Sequence, residues 1–169
     1  MVNVKDNFVE QSLFNKFKQI IFSSDFSWYY KEEMTKEDSF FFNHCFYVDY
    51  KIQSHFFNPF IKPILDQMKA VMIDEVRANL LVRTGKRYKS KYHCDRPFKC
   101  KTAILYMNTC DGYTEFYKGD KILSVENRLI VFNSDQKHRA VSQLNTNERV
   151  VINFNFIENK QENDFLLDE

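Results

Sequence analysis

Residues 101–157 read KTAILYMNTCDGYTEFYKGDKILSVENRLIVFNSDQKHRAVSQLNTNERVVINFNFI, and the spacing of apolar runs and turn residues in this stretch decides the fold. TAILYMN, YTEFYK, KILSV, NRLIVFN, HRAVSQL and RVVINFNFI are short β-prone runs. Tight-turn signals stand between them, at Asp111-Gly112, at Gly119-Asp120 and in the turn-like NTNE. With the β-prone residues that begin at Val76, the pattern predicts six or seven antiparallel strands with short reversals, which suits a jelly roll or comparable barrel. Within TAILYMN, alternation sets Thr102, Ile104 and Tyr106 on one face and the packing residues Ala103, Leu105 and Met107 on the other.

Ahead of this β region the period changes. From Val9 to Phe22, Leu13, Phe17, Ile20 and Ile21 recur at helical offsets between polar Gln11, Asn15, Lys16 and Lys18, which predicts an amphipathic helix. An aromatic connector around Trp28 to Tyr30 and an acidic stretch from Glu32 to Asp38 follow. Phe40 to Tyr50 then reads as an aromatic strand whose His44 is a core or edge residue. The run NPFIKPILDQMKAVMIDE from Asn58 places Phe60, Ile64, Met68, Val71 and Met72 at helical offsets with Pro59 near the start, predicting a second helix. The expected organisation is one domain over 1–169: helical support to about 75, a jelly-roll core over about 76–157, and an acidic, solvated tail over 158–169.

With 169 residues, eighteen Phe, nine Tyr and only three Gly and three Pro, the composition excludes a disordered or fibrous chain and fits one densely packed domain. The net charge of +1 gives no global argument for a nucleic-acid or membrane partner. The charged start MVNVKDNFVEQ does not read as a signal peptide and no run reaches membrane-span length, so a cytoplasmic location is expected. Cys45, Cys94, Cys100 and Cys110 show no ligand spacing and are expected to stay reduced.

Chemistry enters at KYHCD. If this segment is extended, His93 and Asp95 project to one side and Cys94 to the other. With His138, returned by tertiary folding, two imidazoles and one carboxylate would form the facial triad that leaves three positions open on a non-heme iron. Arg149 begins an apolar strand eleven residues after His138, with a turn that would let the two strands run side by side. A buried arginine needs an anion, and a dicarboxylate co-substrate supplies one. The Tyr106 hydroxyl could donate to the same carboxylate.

HCD, TAILYMN, DGYTEFYKGDKI, NRLIVFN and HRAVSQLNTNERVVINF together resemble the prolyl 4-hydroxylase-like branch of the Fe(II)/2-oxoglutarate-dependent oxygenases, over roughly Leu80 to Phe156. The resemblance implies a double-stranded β-helix with helices outside one sheet. Carried over residue by residue, it implies Fe(II) ligands His93, Asp95 and His138, and co-substrate contacts from Arg149 and Tyr106, with Thr102 and Ile104 sharing the Tyr106 face. It implies Fe(II), 2-oxoglutarate and O2 as cofactor and co-substrates, and decarboxylation of 2-oxoglutarate to succinate coupled to hydroxylation of a C–H bond. The substrate implied is a proline-like peptidyl residue or a small metabolite. Because Asp95 is present, hydroxylation rather than halogenation is expected. Small virus-encoded and marine bacterial members of the family often have this solo-domain size; a virus-encoded protein would act in the host cytoplasm.

Three further features bear on substrate. On the Arg149 strand, alternation turns Asn153 and Asn155 to the arginine's side. Arg83 heads a basic run with Lys86, Arg87, Lys89, Lys91, Arg96, Lys99 and Lys101, expected to flank the site mouth. A nucleic-acid substrate would suit that run, although Asn155 stands where base demethylases carry a second Arg. Plainer readings exist for each residue: a strand histidine bonded to a carboxylate, a surface ion pair, a solvated charge run. A non-catalytic metal-binding jelly-roll module is the remaining alternative.

Overall fold

Strand β11, Glu148–Glu158, organises the molecule, because its alternation gives it two different faces. Val150, Ile152, Phe154 and Phe156 face a large apolar core, while Arg149, Val151, Asn153 and Asn155 turn to the other side. The computed structural model describes residues 2–32 and 40–159. In chain order these form β1 (Asn3–Lys5), α1 (Gln11–Ile21), β2 (Tyr29–Glu32), β3 (Phe40–Val48), β4 (Lys51–Ile52), a π-helical turn (Phe57–Ile61), α2 (Lys62–Gln67), β5 (Ala70–Val82), β6 (Lys101–Tyr106), β7 (Tyr113–Phe116), β8 (Lys121–Leu123), β9 (Leu129–Asn133), β10 (His138–Val141) and β11.

The major sheet has the order β1-β9-β6-β11-β5-β3-β2, with β4 paired to β3; the minor sheet has the order β10-β7-β8. The chain is therefore mostly β, antiparallel in both sheets, with short helices in its first half. Helix α1 buries Phe14, Phe17 and Ile21 in the large core, where Phe17 stacks on Phe60 at 4.7 Å between ring centroids. Burying one such side chain contributes about 1.5–3 kcal/mol. Ile104 and Tyr106 of β6 pack on the opposite face of the major sheet with Phe116, Ile130, Phe132 and Val151. Strands β5 to β11 are the antiparallel run predicted after Val76. Among the described residues no helix is long and apolar enough to cross a membrane.

Several expectations are corrected. The second helix ends at Gln67, and Ala70 already begins β5, so Val71 and Met72 lie on an exposed strand. Lys69 takes a positive φ of 55° and breaks the helix, after which Ala70 pairs with Glu158 and Met72 with Ile157 of β11. Tyr29 and Tyr30, read as connector, pair with Asn43 and Phe42 as strand β2. Asp111-Gly112 makes no hairpin: it joins β6 in the major sheet to β7 in the minor one, whereas Gly119, at φ 102°, does turn the β7–β8 hairpin. His44 is a core residue, its ring nitrogens bonded to the Ser27 carbonyl at 2.7 Å and the Ser54 hydroxyl at 2.8 Å. All four cysteines are free. The acidic stretch over 33–38 and the tail over 160–169 lie outside the described residues; Glu158, at the tail's start, pairs with Lys101 at 3.2 Å.

Candidate active site

The segment carrying His93 and Asp95 belongs to no named strand. It runs beside β10, bridged at Lys89 to Val141 and at His93 to His138. His93 and His138 exchange both backbone hydrogen bonds at 3.0 Å, and their rings lie 4.6 Å apart. Two residues on, the Asp95 amide donates to the Ser134 carbonyl at 3.1 Å, which turns its carboxylate to the same side as the two imidazoles. Cys94 projects away and reaches the Asp135 carbonyl.

His93, Asp95 and His138 offer ligand atoms that all lie within 4.8 Å of one another. Asp95 Oδ1 stands 3.5 Å from His93 Nε2 and 3.7 Å from His138 Nε2. Asp95 Oδ2 accepts from the Thr102 hydroxyl at 2.7 Å and from Asn155 Nδ2 at 3.4 Å. One oxygen is thus held from behind while the other faces the histidines. Each histidine makes the same second contact: His93 Nδ1 lies 3.1 Å from the Lys91 carbonyl and His138 Nδ1 lies 3.0 Å from the Gln136 carbonyl. A carbonyl can only accept, so each Nδ1 carries a proton and each Nε2 is the atom turned to Asp95, where a bound cation would take the place of any proton. This donor set, with the carboxylate and both rings oriented, fits a divalent first-row metal.

The electrostatics are consistent with that fit. Burial opposes the Asp95 charge, but hydrogen bonding from His93, the nearby His138 and the Thr102 hydroxyl together hold its carboxyl well below the usual carboxylate range. His93 is raised by its bond to Asp95, against burial, and His138 is lowered by burial. The triad is also asymmetric in access: the side chains of Asp95 and His138 are 3% and 4% exposed, that of His93 47%, so the cluster opens on the His93 side.

A cavity of about 150 Å³ reaches from His93 and His138 to Arg149. Arg149 is 2% exposed, with its guanidinium 5.5 Å over the Tyr106 ring and Nη2 donating to the Thr114 hydroxyl at 3.3 Å. The Tyr106 hydroxyl donates to the same Thr114 oxygen at 2.8 Å. No acid pairs with Arg149 among the described contacts, its Nε makes no hydrogen bond, and burial lowers its affinity for its proton. Burying a cation in this way is costly unless an anion completes the site.

The sequence-derived residues fall into three groups. His93, Asp95 and His138 converge, and Arg149, Ile104 and Asn153 line the same cavity, with Tyr106 directly beneath Arg149. Thr102 and Asn155, expected at co-substrate and substrate, stand instead behind Asp95, bonded to it and to each other at 2.9 Å. Arg83 is a correction: it is exposed and turns to the Leu144 carbonyl at 3.5 Å, outside the cavity lining. Of the basic run, Arg87 is taken by Asp111, Arg96 by Asp74 and Glu75, and Lys101 by Glu158, while the exposed Lys89 and Lys91 are interleaved with Tyr88, Ser90 and His93 of the cavity lining. Arg149 and His138 do not sit on adjacent strands as expected; they lie in different sheets and face each other across the cavity.

Thr114, Arg77, Asn79 and Tyr88 also line the cavity and were not foreseen. Thr114 carried a signal, since alternation in YTEFYK separates Thr114 and Phe116 from Tyr113 and Glu115. Its meeting with Arg149 required the pairing of the two sheets.

No family model matches the chain, and no curated protein sequence does so. Among solved structures it is similar to a prolyl hydroxylase from Trichoplax adhaerens in complex with a hypoxia inducible factor oxygen degradation domain peptide, at 16% identity over 93% of this chain and 83% of that one, with a TM-score of 0.63. It is also similar to a prolyl-4-hydroxylase from Pseudomonas putida, at 15% identity over 93% and 92% of the two chains and a TM-score of 0.59. A third likeness is to the non-heme alpha ketoglutarate dependent epimerase SnoN from nogalamycin biosynthesis, at 8% identity over 93% and 77% and a TM-score of 0.67. The shared property is the fold, that of prolyl hydroxylases and other 2-oxoglutarate-Fe(II) oxygenases.

Proposed function

We propose that this chain is an Fe(II)- and 2-oxoglutarate-dependent dioxygenase of the prolyl 4-hydroxylase-like branch, one double-stranded β-helix domain that hydroxylates a C–H bond of a peptidyl residue or small metabolite. The observation that carries the reading is the pairing of opposites in one cavity: a metal-ligand triad at one end and, at the other, a buried arginine that lacks an anion. A dicarboxylate keto acid has the chemistry for both ends. The peptide bound to the Trichoplax enzyme supports a peptide substrate by analogy of fold.

His93 Nε2, Asp95 Oδ1 and His138 Nε2 would hold the iron, and the bound metal would supply dioxygen activation coupled to conversion of 2-oxoglutarate to succinate and CO2. The chain's own residues do the positioning. Arg149 and Thr114 hold the far carboxylate, and Tyr106, raised by burial above its ordinary pKa and therefore protonated, orients Thr114. The Lys91 and Gln136 carbonyls fix the imidazoles, and Thr102 with Asn155 fixes the carboxylate. An intact Asp95 favours hydroxylation over halogenation. Arg87, Arg96 and Lys101 are paired with acids, which takes three of the eight basic residues from the nucleic-acid reading and leaves it as the alternative.

Anaerobic titration with Fe(II) and 2-oxoglutarate tests the proposal through the weak visible charge-transfer band of the chelate. The band is expected in the wild type and weakened in His138→Ala and Arg149→Ala. A wild type that binds iron but gives no band would overturn the co-substrate assignment and leave an inert metal-binding module as the better reading.

A further inference from the structure

Seven buried side-chain polar atoms lack a hydrogen-bond partner among the described residues, and five of them belong to residues that line one cavity: Arg77, Asn79, Tyr88, Arg149 and Asn153. Buried polar groups are nearly always satisfied, so this concentration marks a place where a polar ligand completes the structure. A diacid with one end on Arg149 and the other at the triad has both of its polar ends in use. Besides Tyr88 Oη, on the segment beside β10, three atoms remain: Arg77 Nε, Asn79 Oδ1 and Asn153 Oδ1.

These three share a face of the major sheet. Asn153 pairs directly with Arg77 across β11 and β5, and Asn79 follows Arg77 by two residues, opposite Val151. Asn153 also lies between Arg149 and Asn155 on β11, and Asn155 bonds Asp95, which places the group toward the metal end of the strand.

Charge narrows the chemistry. Arg77 Nη1 approaches Glu75 Oε1 at 3.4 Å, Glu75 Oε2 accepts from Arg96 at 2.6 Å, and Arg96 also pairs with Asp74. Two guanidinium groups therefore meet two carboxylates, so the Arg77 charge is already compensated while its Nε–H remains without an acceptor. The unmet need is for hydrogen bonds rather than for an anion. An acyl oxygen satisfies Arg77 Nε–H, an N–H satisfies an asparagine carbonyl, and if either asparagine amide is turned over the ligand's C=O serves it instead.

Resting on the dioxygenase reading above, we infer that Arg77, Asn79 and Asn153 form the primary-substrate subsite and that it recognises a neutral amide group next to the C–H bond to be oxidised. Phe41 supplies an apolar wall to the same cavity. A peptide-backbone amide and the primary carboxamide of a small molecule share this chemistry.

The test uses full-length protein loaded with redox-inert Zn(II) and saturated with 2-oxoglutarate, with ligand-observed saturation-transfer NMR. The probes are N-acetylglycine N-methylamide, acetamide and acetate. Co-substrate binding is measured first by calorimetry; its absence sinks the dioxygenase reading itself, and the subsite with it. Given co-substrate binding, the blocked amide is expected to bind the wild type and to lose about tenfold in affinity in Arg77→Lys, which keeps the charge and removes the Nε–H. The same loss is expected in Asn79→Leu, with 2-oxoglutarate affinity staying within about twofold in both variants as the check on folding. Preference for the blocked amide over acetamide assigns a peptide, and the reverse assigns a small carboxamide. No amide binding to the wild type, equal binding in both variants, or preference for acetate would each overturn the subsite.

Discussion

A Cβ on Gly112 would stand 2.6 Å from Cδ of Arg149, 3.0 Å from the Val141 carbonyl oxygen and 3.2 Å from the Gln143 amide nitrogen. The missing side chain at Gly112 is the space through which Arg149 passes from the major sheet to the cavity. Two of the three neighbours are backbone, so a methyl group there displaces the arginine first. Gly112→Ala is expected to weaken 2-oxoglutarate binding by about tenfold or more, roughly 1.4 kcal/mol, with metal affinity retained because the triad is at the other end of the cavity. Calorimetry on the metal-loaded protein checks this, and unchanged co-substrate affinity would remove Arg149 from the assigned role.

Arg149→Met separates stability from function. Replacing a buried, unpaired cation by an apolar side chain of similar length is expected to leave the ligand-free protein as stable or more so, by up to about 1–4 kcal/mol. The wild type gains about 2.7 kcal/mol when 2-oxoglutarate is present at 100 times its dissociation constant, and the variant should gain none. Thermal unfolding with and without the co-substrate reads both effects. A Met variant that 2-oxoglutarate still stabilises like the wild type would contradict the assignment.

Thr102 and Asn155 act on the metal through Asp95. With the Thr102 hydroxyl donating to Oδ2, the other oxygen is free to face His93 and His138. Thr102→Val keeps the shape and removes the donor, and is expected to lower Fe(II) affinity about 10- to 100-fold in competition with a chelating dye. Thr102→Ser should restore most of it. If Ser binds iron as poorly as Val, the effect comes from packing in the second apolar cluster and not from the hydrogen bond.

What could be read from sequence divides along the range of the interaction. The two faces of TAILYMN and of the Arg149 strand follow from a period of two and a local burial pattern, and Ala103, Leu105 and Met107 do enter the helical core while Ile104 and Tyr106 enter the second cluster. Val71 and Met72 fit both a helical and a strand period, and only the positive φ at Lys69 and the pairing of this end of β5 with β11 decide between them. NTNE signals a reversal but not which sheet receives the next strand, so Arg149 and His138 were expected side by side and stand instead across a cavity. Asn155 illustrates the same limit: its face was legible, but its partner, Asp95, lies 60 residues away in sequence.

Helix α1 offers a test independent of the site. Glu10 caps it: both carboxylate oxygens are used, Oε1 accepting from the Ser12 amide at 2.9 Å and Oε2 from the Leu13 amide at 3.0 Å and the Ser12 hydroxyl at 2.5 Å. The Ser12 hydroxyl first, then the Ser12 and Leu13 amides, lower the Glu10 pKa from an ordinary 4.5 to about 2. A depressed folded-state pKa stabilises the fold fully above the unfolded value and loses that contribution as pH falls through the folded value, so the window is from 4.5 down to about 2. Glu10→Gln cannot carry the charge and is expected to melt at a lower temperature than the wild type at neutral pH. The two curves of melting temperature against pH should converge through that window. A gap that stays constant down to the acid end would show that the cap works through shape alone and not through its charge.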